Sequence, residues 1–503
     1  MGKLSDGENK FLIRTSKPHS SLDRAYGATC RLFLGETPDD FPPFWLYAAW
    51  LFITILRLYP ATLSLWEDEI WMLVVSVDQP WRRVLGFVDY YSGNHILYAA
   101  LSKVIIKAAG HHAIELMYRV PALIAAFLTL PVGFAVFSRF GGRPVAVIAS
   151  VLFMIMPAVN FHAANARGYA LWLFLTVWAW GISPGMQARV RWARLTIVYF
   201  LLGISHSLAC ITLASFAVAG CLTGKERHPA KAWLYNALAT IPCFLFLMVP
   251  LHSLIGYEHS IPRPAGWGFP ASLGFAPMVI ESFFGSSWFP GYGAAWALAA
   301  VIGFVVICRA SLRTGAGIAI MSINIAVALL ITGNPYGFDR CFMACLPFWI
   351  CCAGHGIRAT ARLLKTRWGI NHRIWPILGM LLLLPWLPKT ATTFLLPKQA
   401  YRDAFAYYRG HFPAATVAFG ISPEYATGLA FYGRQFGIRY AFVTSEQQAL
   451  DSVLNAPVPC GVIIPAEREV DQRMLLWVKR HMRREKVLPG VLLDTEVFRI
   501  SKP

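Results

Sequence analysis

Apolar runs of roughly twenty residues recur between residues 43 and 390, and the gaps between them hold clusters of Lys and Arg. That pattern restricts the fold to one class. A helix of about 20 apolar residues crosses a bilayer with its backbone hydrogen bonds satisfied internally, which no irregular segment exposed to lipid can do. Composition agrees: 56% of the 503 residues are hydrophobic and 14% charged, more apolar surface than a soluble core of this size buries. The formal net charge of +19 would by itself suit a nucleic-acid binder. Its basic residues, however, sit in short clusters between apolar runs, the pattern that sets membrane topology. An anionic lipid surface or an anionic lipid-linked substrate accounts for them, and no nucleic-acid partner is expected. The ten cysteines show no CxxC spacing and read as small apolar residues.

Residues 1–42 are polar and carry Lys3, Lys10, Arg14, Lys17, Arg24 and Arg31. They predict a cytoplasmic N-terminal segment, with the first apolar run acting as a signal anchor and not as a cleaved leader. That run, 43–63, contains Arg57 and delivers Glu67, Asp68 and Glu69 to the outer face. A first outer loop is expected over about 64–93, where Trp71, Trp81, Arg82, Arg83, Tyr90 and Tyr91 suit a helix lying in the interface. Asn94-His95 opens an apolar segment over about 94–110, marked by Lys103 and Lys107, and further runs follow at 119–137, 144–160 and 168–183. From Arg189 onward the basic clusters alternate cleanly. They place the hairpin tip Ser205-His206-Ser207, the loop with Glu258, His259 and Arg263, and the turn Asn334–Arg340 outside. The transmembrane domain is predicted to occupy 43–390 with roughly 11–13 helices. One count does not close. Stepping back from the basic loop at 189–194 puts Arg167 outside, whereas three full spans forward from Asp68 put it inside. One segment between 94 and 160 therefore fails to cross, or two merge; Arg167 outside is preferred because the later clusters are unambiguous.

Residues 391–503 change character. Short β-like runs (416–419, 440–443, 461–464, 491–493, 496–500) alternate with helix-like stretches (398–411, 423–436, 466–484), which predicts a small α/β domain on the outer, periplasmic side. It has no phosphate loop, zinc spacing or nucleophile elbow. The fold class expected is thus an all-α polytopic membrane protein with a small C-terminal α/β domain.

The chemistry-bearing residues concentrate on the predicted outer face. A carboxylate beside the hydrocarbon has its charged form disfavoured, which moves it toward use as a general base. The other reading of Glu67-Asp68-Glu69 is a solvated acidic turn, or an ion pair with Arg82 or Arg83. Asn94 and His95 read either as a polar helix start or as phosphate and carboxylate partners. Arg167 with Tyr169, and Arg340 beside Asp339, offer guanidinium forks suited to phosphate, or else mark interfaces. His206, His259 and Arg263 are weaker candidates for substrate contacts. Three acids could hold a divalent ion, but no dedicated cage is visible and no other cofactor is implied.

The order Leu65-Trp66-Glu67-Asp68-Glu69, then Asn94-His95, then Arg119-Val-Pro-Ala, then Ala166-Arg-Gly-Tyr-Ala170 resembles bacterial integral-membrane glycosyltransferases of the GT-C superfamily. The branch is that of the protein O-mannosyltransferases and the aminoarabinose lipid A transferase. The resemblance covers residues 43–220 by motif and 221–390 by architecture. Where relatives carry His-Pro-Pro or Lys-Pro-Pro, this chain has Asn94-His95-Ile96. What the resemblance implies is an inverting transfer from a polyprenyl-phosphate sugar to a cell-envelope glycan, glycolipid or protein, at a bacterial inner membrane. Asp68 would be the base and Glu69 its support or an acceptor contact. His95, Arg167 and Arg340 would surround the donor phosphate, and Glu67, outside the motif, would be an ordinary surface acid. A transporter or flippase of lipid-linked saccharides is the alternative; it predicts charges midway along spans and internal repeats. A non-catalytic scaffold gives no reason for the acids and arginines.

Overall fold

The computed structural model describes residues 20–38, 40–88, 94–110, 114–183, 192–219, 222, 229–260, 275–285, 291–332, 339–369, 383–412, 417–420, 426–442, 461–465, 476, 478–480, 482–489 and 495–500. Four helices among them are long and apolar enough to cross a membrane: Phe44–Thr62, Ile114–Ile155, Ala230–Ser253 and Tyr292–Ala310. Shorter apolar helices at Tyr169–Ile182, Trp192–Gly203, Ala209–Ala219 and Leu312–Val327 pack among them. The span Phe44–Thr62 leaves Leu51, Phe52, Ile55, Leu58 and Tyr59 exposed. In water that stripe would be an aggregation surface; in a bilayer it is the ordinary lipid-facing side.

The stretch Ile114–Ile155 is two helices joined at Gly142, whose φ of 74° breaks the helical run. The chain folds back there. Phe137 and Phe153 stack at 5.7 Å, although in one straight helix 16 residues would separate them by about 24 Å at a rise of 1.5 Å per residue. Arg57 likewise reaches the carbonyls of both Ala126 and Phe153 at 3.5 Å. The returning arm ends in a break at Met156, and Pro157, having no N–H, cannot bond the Phe153 carbonyl. Arg57 and Asn160 repair that break. Arg57 donates to Asn160 Oδ1 at 3.1 and 2.9 Å, and Asn160 Nδ2 donates to the Met154 and Met156 carbonyls at 2.8 and 3.2 Å. A buried cation in a span thus serves backbone groups that lipid could not satisfy.

This hairpin closes the count that the sequence left open. Arg119, near the start of its first arm, touches the end of helix Phe44–Thr62. Arg167, just beyond its second arm, touches Asp68. Both therefore lie at one end of the bundle, called here the site end. The segment that fails to cross is 94–110. Its helix Ile96–Ala109 has 14 residues, about 21 Å at 1.5 Å per residue, short of a hydrocarbon core of about 30 Å. It begins and is followed at the site end, where the Tyr98 hydroxyl donates to the Tyr118 carbonyl. Lys103 is not a charge stranded midway along a span either. Its Nζ donates to the carbonyls of Val77 and Gln79 at 2.8 Å each, capping the short π-helix Leu73–Val77.

The C-terminal part carries a five-stranded sheet: β1 Val417–Gly420, β2 Arg439–Phe442, β3 Gly461–Pro465, β4 Met482–Leu488 and β5 Thr495–Ile500, in the order β2-β1-β3-β5-β4. The first three strands are parallel, and β5 and β4 are antiparallel. β4 begins inside the stretch 466–484 expected to be helical, overlapping it at 482–484, and runs beyond it to Leu488. It is an edge strand, Met-Arg-Arg-Glu-Lys-Val-Leu, charged along its length; charge on an edge discourages further pairing and erases the apolar alternation that betrays a strand. The strand expected at 491–493 lies outside the described residues.

Candidate active site on the first loop

Ser64–Trp66 leave the first span and the helix Glu67–Met72 follows, with three acids in its first turn, where they complement the helix dipole. Successive helical side chains diverge by about 100°, and the three carboxylates go to three different places.

Glu69 points inward and is wholly buried. It accepts from Arg119 Nε at 3.0 Å and Nη2 at 2.5 Å, from the Ala166 N–H at 2.5 Å and from the Trp66 N–H at 3.1 Å. Arg119 spends its remaining donors on the carbonyls of Pro60, Ala61, Leu63 and Ser64, at 2.6–3.2 Å. These include the orphan carbonyls at the end of the first span. One buried ion pair therefore ties three things together: the end of the span, the first turn of the acid helix, and the turn that carries Arg167. Burial pushes the Glu69 carboxyl up, but Arg119 and Lys398, with the hydrogen bonds from Arg119 and Ala166, outweigh it and hold the carboxyl below its usual range.

Asp68 points the other way and is one-third exposed. Its Oδ2 accepts from Arg167 Nη1 at 2.5 Å and from Arg340 Nη1 at 2.8 Å. Arg340 arrives from the 3-10 turn Asp339–Phe342, some 270 residues away in sequence; the side chain of Asp339 is outside the described residues. Arg167 is aimed by its surroundings. Its Nε donates to His95 Nε2 at 3.3 Å, and its guanidinium lies 5.5 Å from the Tyr169 ring centre.

His95 is the N-cap of Ile96–Ala109, without a side-chain cap. Asn94 does not cap that helix either; its Nδ2 approaches the Arg83 carbonyl at 3.4 Å. His206, from the hairpin tip, lies 4.5 Å from the His95 ring and stacks on Trp172 at 4.4 Å. His162, which no sequence argument singled out, lies 4.7 Å from Tyr169. Burial first, and then neighbouring His and Arg side chains, push all three imidazoles well below their ordinary pKa. That direction favours the neutral ring, whose unprotonated Nε2 at His95 accepts from Arg167. Arg263 and the side chain of His259 lie outside the described residues.

Gly168 makes this junction close. A Cβ there would meet the Ser205 carbonyl oxygen and come within 2.9 Å of His95 Cβ. Both are held in place, since the Leu97 N–H donates to the Ile204 carbonyl at 3.0 Å. Gly168→Ala is expected to push Arg167 off Asp68. Charge-assisted hydrogen bonds of this kind are worth about 1.5–3 kcal/mol, so this variant should melt below the natural protein, as read by its apparent melting temperature.

Glu67 is not the surface acid that the motif suggested. It is buried and turned toward the C-terminal domain. Its carboxylate accepts from the Gly428 N–H at 2.9 Å and the Tyr401 hydroxyl at 3.3 Å, while its own N–H donates to Gln399 Oε1 at 2.9 Å. Lys398 was also missed. Its Nζ is buried 3.8 Å from Glu69 Oε1 and 4.3 Å from the Phe161 ring centre, and burial, opposed by Glu69, pushes its pKa down to about 7. Nothing in its flanking sequence announces it. With the three acids diverging, no group of three His, Cys, Asp or Glu among the described residues could hold a metal ion, and the residues present do not fit a divalent cation at the acid turn.

No protein-family model and no curated protein matches this chain. Among solved structures it is similar to ArnT from Cupriavidus metallidurans bound to undecaprenyl phosphate, at 11% identity and TM-score 0.52, over 90% of this chain and 97% of that one. The archaeal oligosaccharyltransferase AglB from Archaeoglobus fulgidus, in complex with an inhibitory peptide and a dolichol-phosphate, aligns at 11% identity and TM-score 0.46, over 90% and 74%. The first likeness shows the fold alone: a helical membrane bundle followed by a small C-terminal α/β domain.

Proposed function

We propose that the chain is a glycosyltransferase that moves a sugar from a polyprenyl-phosphate donor to an acceptor hydroxyl of a cell-envelope glycan, glycolipid or protein, with inversion. The observation that carries this reading is a single accessible carboxylate, Asp68, held between two arginines at the site end of a membrane bundle. In a one-step displacement the acceptor O–H gives its proton to Asp68. The acceptor oxygen bonds to the anomeric carbon from the face opposite the lipid phosphate. The anomeric C–O bond breaks, and its electron pair leaves with the phosphate. Arg167 and Arg340 then have a second use, since the departing phosphate is an anion whose charge they stabilise. Glu69, wholly buried, meets no substrate; it positions Asp68 and Arg167 together.

One consequence concerns order. Both arginines donate to Asp68, and their charge opposes its use as a base. A donor phosphate competes for them and frees the carboxylate, so donor binding should precede productive acceptor binding. Arg167→Ala and Arg340→Ala are each expected to weaken binding of undecaprenyl phosphate about tenfold to a hundredfold, the range of a lost charge-assisted hydrogen bond. Titration with labelled lipid checks this, and unchanged affinity in both variants would remove the arginines from the donor site.

The membrane is taken to be a bacterial inner membrane, with the site end and the C-terminal domain on the periplasmic side and the N-terminus cytoplasmic. A flippase reading asks for charges midway along spans, but Lys103 and Lys107 lie on the 14-residue helix Ile96–Ala109, too short to cross, and Lys103, like Arg57, serves backbone carbonyls. The deciding experiment incubates purified protein in vesicles with a radiolabelled polyprenyl-phosphate sugar and an envelope extract. Label leaving the lipid supports transfer; label that only changes leaflet overturns it.

A further inference from the structure

The C-terminal domain grips the residue next to the candidate base. Helix Ala426–Phe436 presents its first turn to the acid helix, and the Gly428 N–H there points at Glu67 Oε2. A carboxylate at that position does for this helix what a capping side chain normally does, but from a part of the chain 361 residues distant. The contact is built on both sides. Gln399 takes the Glu67 N–H, Tyr401 gives its hydroxyl to the same carboxylate oxygen, and the Tyr432 hydroxyl accepts the Leu65 N–H at 2.7 Å. Gly428 has no room for a side chain, since a Cβ would lie 2.5 Å from Glu67 Oε2 and 2.9 Å from the Tyr401 ring. Arg402 adds bonds to the Thr62 carbonyl and to Glu115 at 2.8 and 3.4 Å.

We propose that Glu67 is a positioning residue, and that through it the C-terminal domain sets the orientation of the helix that carries Asp68. The domain is then a working part of the transfer site and not an appendage. The proposal rests on the transferase reading only for its effect on turnover; the mechanical coupling stands without it. Geometry gives the reason for an effect on rate. Asp68 follows Glu67 directly, so a domain that holds the carboxylate and the N–H of one residue fixes the direction of the next. A displacement of about 1 Å of a reacting group can cost about a hundredfold in rate.

Burial pushes the Glu67 carboxyl up to about 7. The docked state therefore binds a proton more tightly than the undocked one. The sign follows: docking is fully supported below the ordinary value of 4.5 and weakens as pH rises through about 7. The groups facing the carboxyl are the Tyr401 hydroxyl, Thr427 and the Gly428 N–H. None of them is a strong charge that would reverse the sign.

The test uses hydrogen exchange on the full-length protein in nanodiscs, with turnover measured in parallel. Glu67→Ala is expected to speed amide exchange at least tenfold both at 426–430 and at 67–72, and to lower kcat about a hundredfold with little change in donor KM. Glu67→Gln keeps an acceptor oxygen for Gly428. It should restore protection and turnover, and should also abolish the loss of protection expected of the natural protein as pH rises from 4.5 to about 7. Gly428→Ala, which leaves Glu67 in place, should reproduce Glu67→Ala. If Glu67→Ala opens 426–430 but leaves exchange at 67–72 unchanged, the acid merely caps the domain and the proposal is overturned. If exchange is coupled as expected but the natural protein never moves label off the lipid, the coupling stands and the transferase reading falls.

Discussion

Asp68→Asn is expected to cut sugar transfer by about a thousandfold or more, within the range of about 10²–10⁴ that a general base contributes, while leaving the protein folded and its grip on lipid phosphate intact or tighter. The two halves of that expectation come from one geometry. Asn has the shape of Asp but cannot take up the acceptor proton, so the chemical step loses its base. Asp68 also occupies one donor of each arginine. An amide oxygen competes less well for a guanidinium than a carboxylate does, so Arg167 and Arg340 become more available to a phosphate. Turnover and binding should therefore move in opposite directions, which a merely structural role could not produce, since misfolding would lower both. The measurement is transfer of label from the polyprenyl-phosphate sugar alongside titration with undecaprenyl phosphate. Full transfer by a folded Asp68→Asn protein would end the assignment of the base. Asp68 is one-third exposed and Asn keeps a side-chain oxygen for both arginines, so the variant should stay folded, and the loss of rate can be read as chemistry.

What could be read from the chain beforehand follows a physical line. Spans are long, locally apolar and bounded by charge, so their presence was legible without contacts, and the later basic clusters put Arg167 and Arg340 at a common end, where both meet Asp68. The failure at 94–110 was equally physical: its helix is apolar enough to look like a span, and only the meeting of Tyr98 with Tyr118 shows that it does not leave the site end. The convergence of Arg167 and Arg340 on one carboxylate oxygen was beyond reach, because two residues 173 positions apart are treated by local pattern as unrelated. Glu67 was misread for an instructive reason. Its motif position says only that it precedes the aspartate, whereas its burial depends on Gly428, and a glycine carries no pattern that names its partner. Lys398 and His162 belong to the same class, since their roles come from what packs on them. β4 was lost because an edge strand protected by charge looks, by composition, like a solvated helix.

The second large effect falls on stability. Arg119→Leu is expected to yield little or no monodisperse protein in detergent, and any that survives should melt far below the natural chain. Arg119 is buried with Glu69, and removing one partner of such a pair costs about 3–5 kcal/mol, because the other charge is left uncompensated. The loss goes further here, since Pro60, Ala61, Leu63 and Ser64 would each lose a donor at the end of a span. Lys cannot substitute, because a single ammonium has three donors and no planar fork, whereas Arg119 serves one carboxylate and four carbonyls. Arg119→Lys should therefore fail nearly as badly. The double variant Arg119→Met with Glu69→Gln separates the two contributions. It removes both charges of this pair, and Lys398, whose pKa burial already pushes down to about 7, can shed its proton once Glu69 is gone; it should therefore recover part of the loss, and the remainder measures the abandoned carbonyls. Size-exclusion profiles and apparent melting temperatures of the three variants decide the matter. An Arg119→Leu protein as monodisperse and heat-resistant as the natural one would mean that the span end, the acid helix and the Arg167 turn are held together by something other than this pair. The placement of Asp68 between its two arginines would then need a different cause.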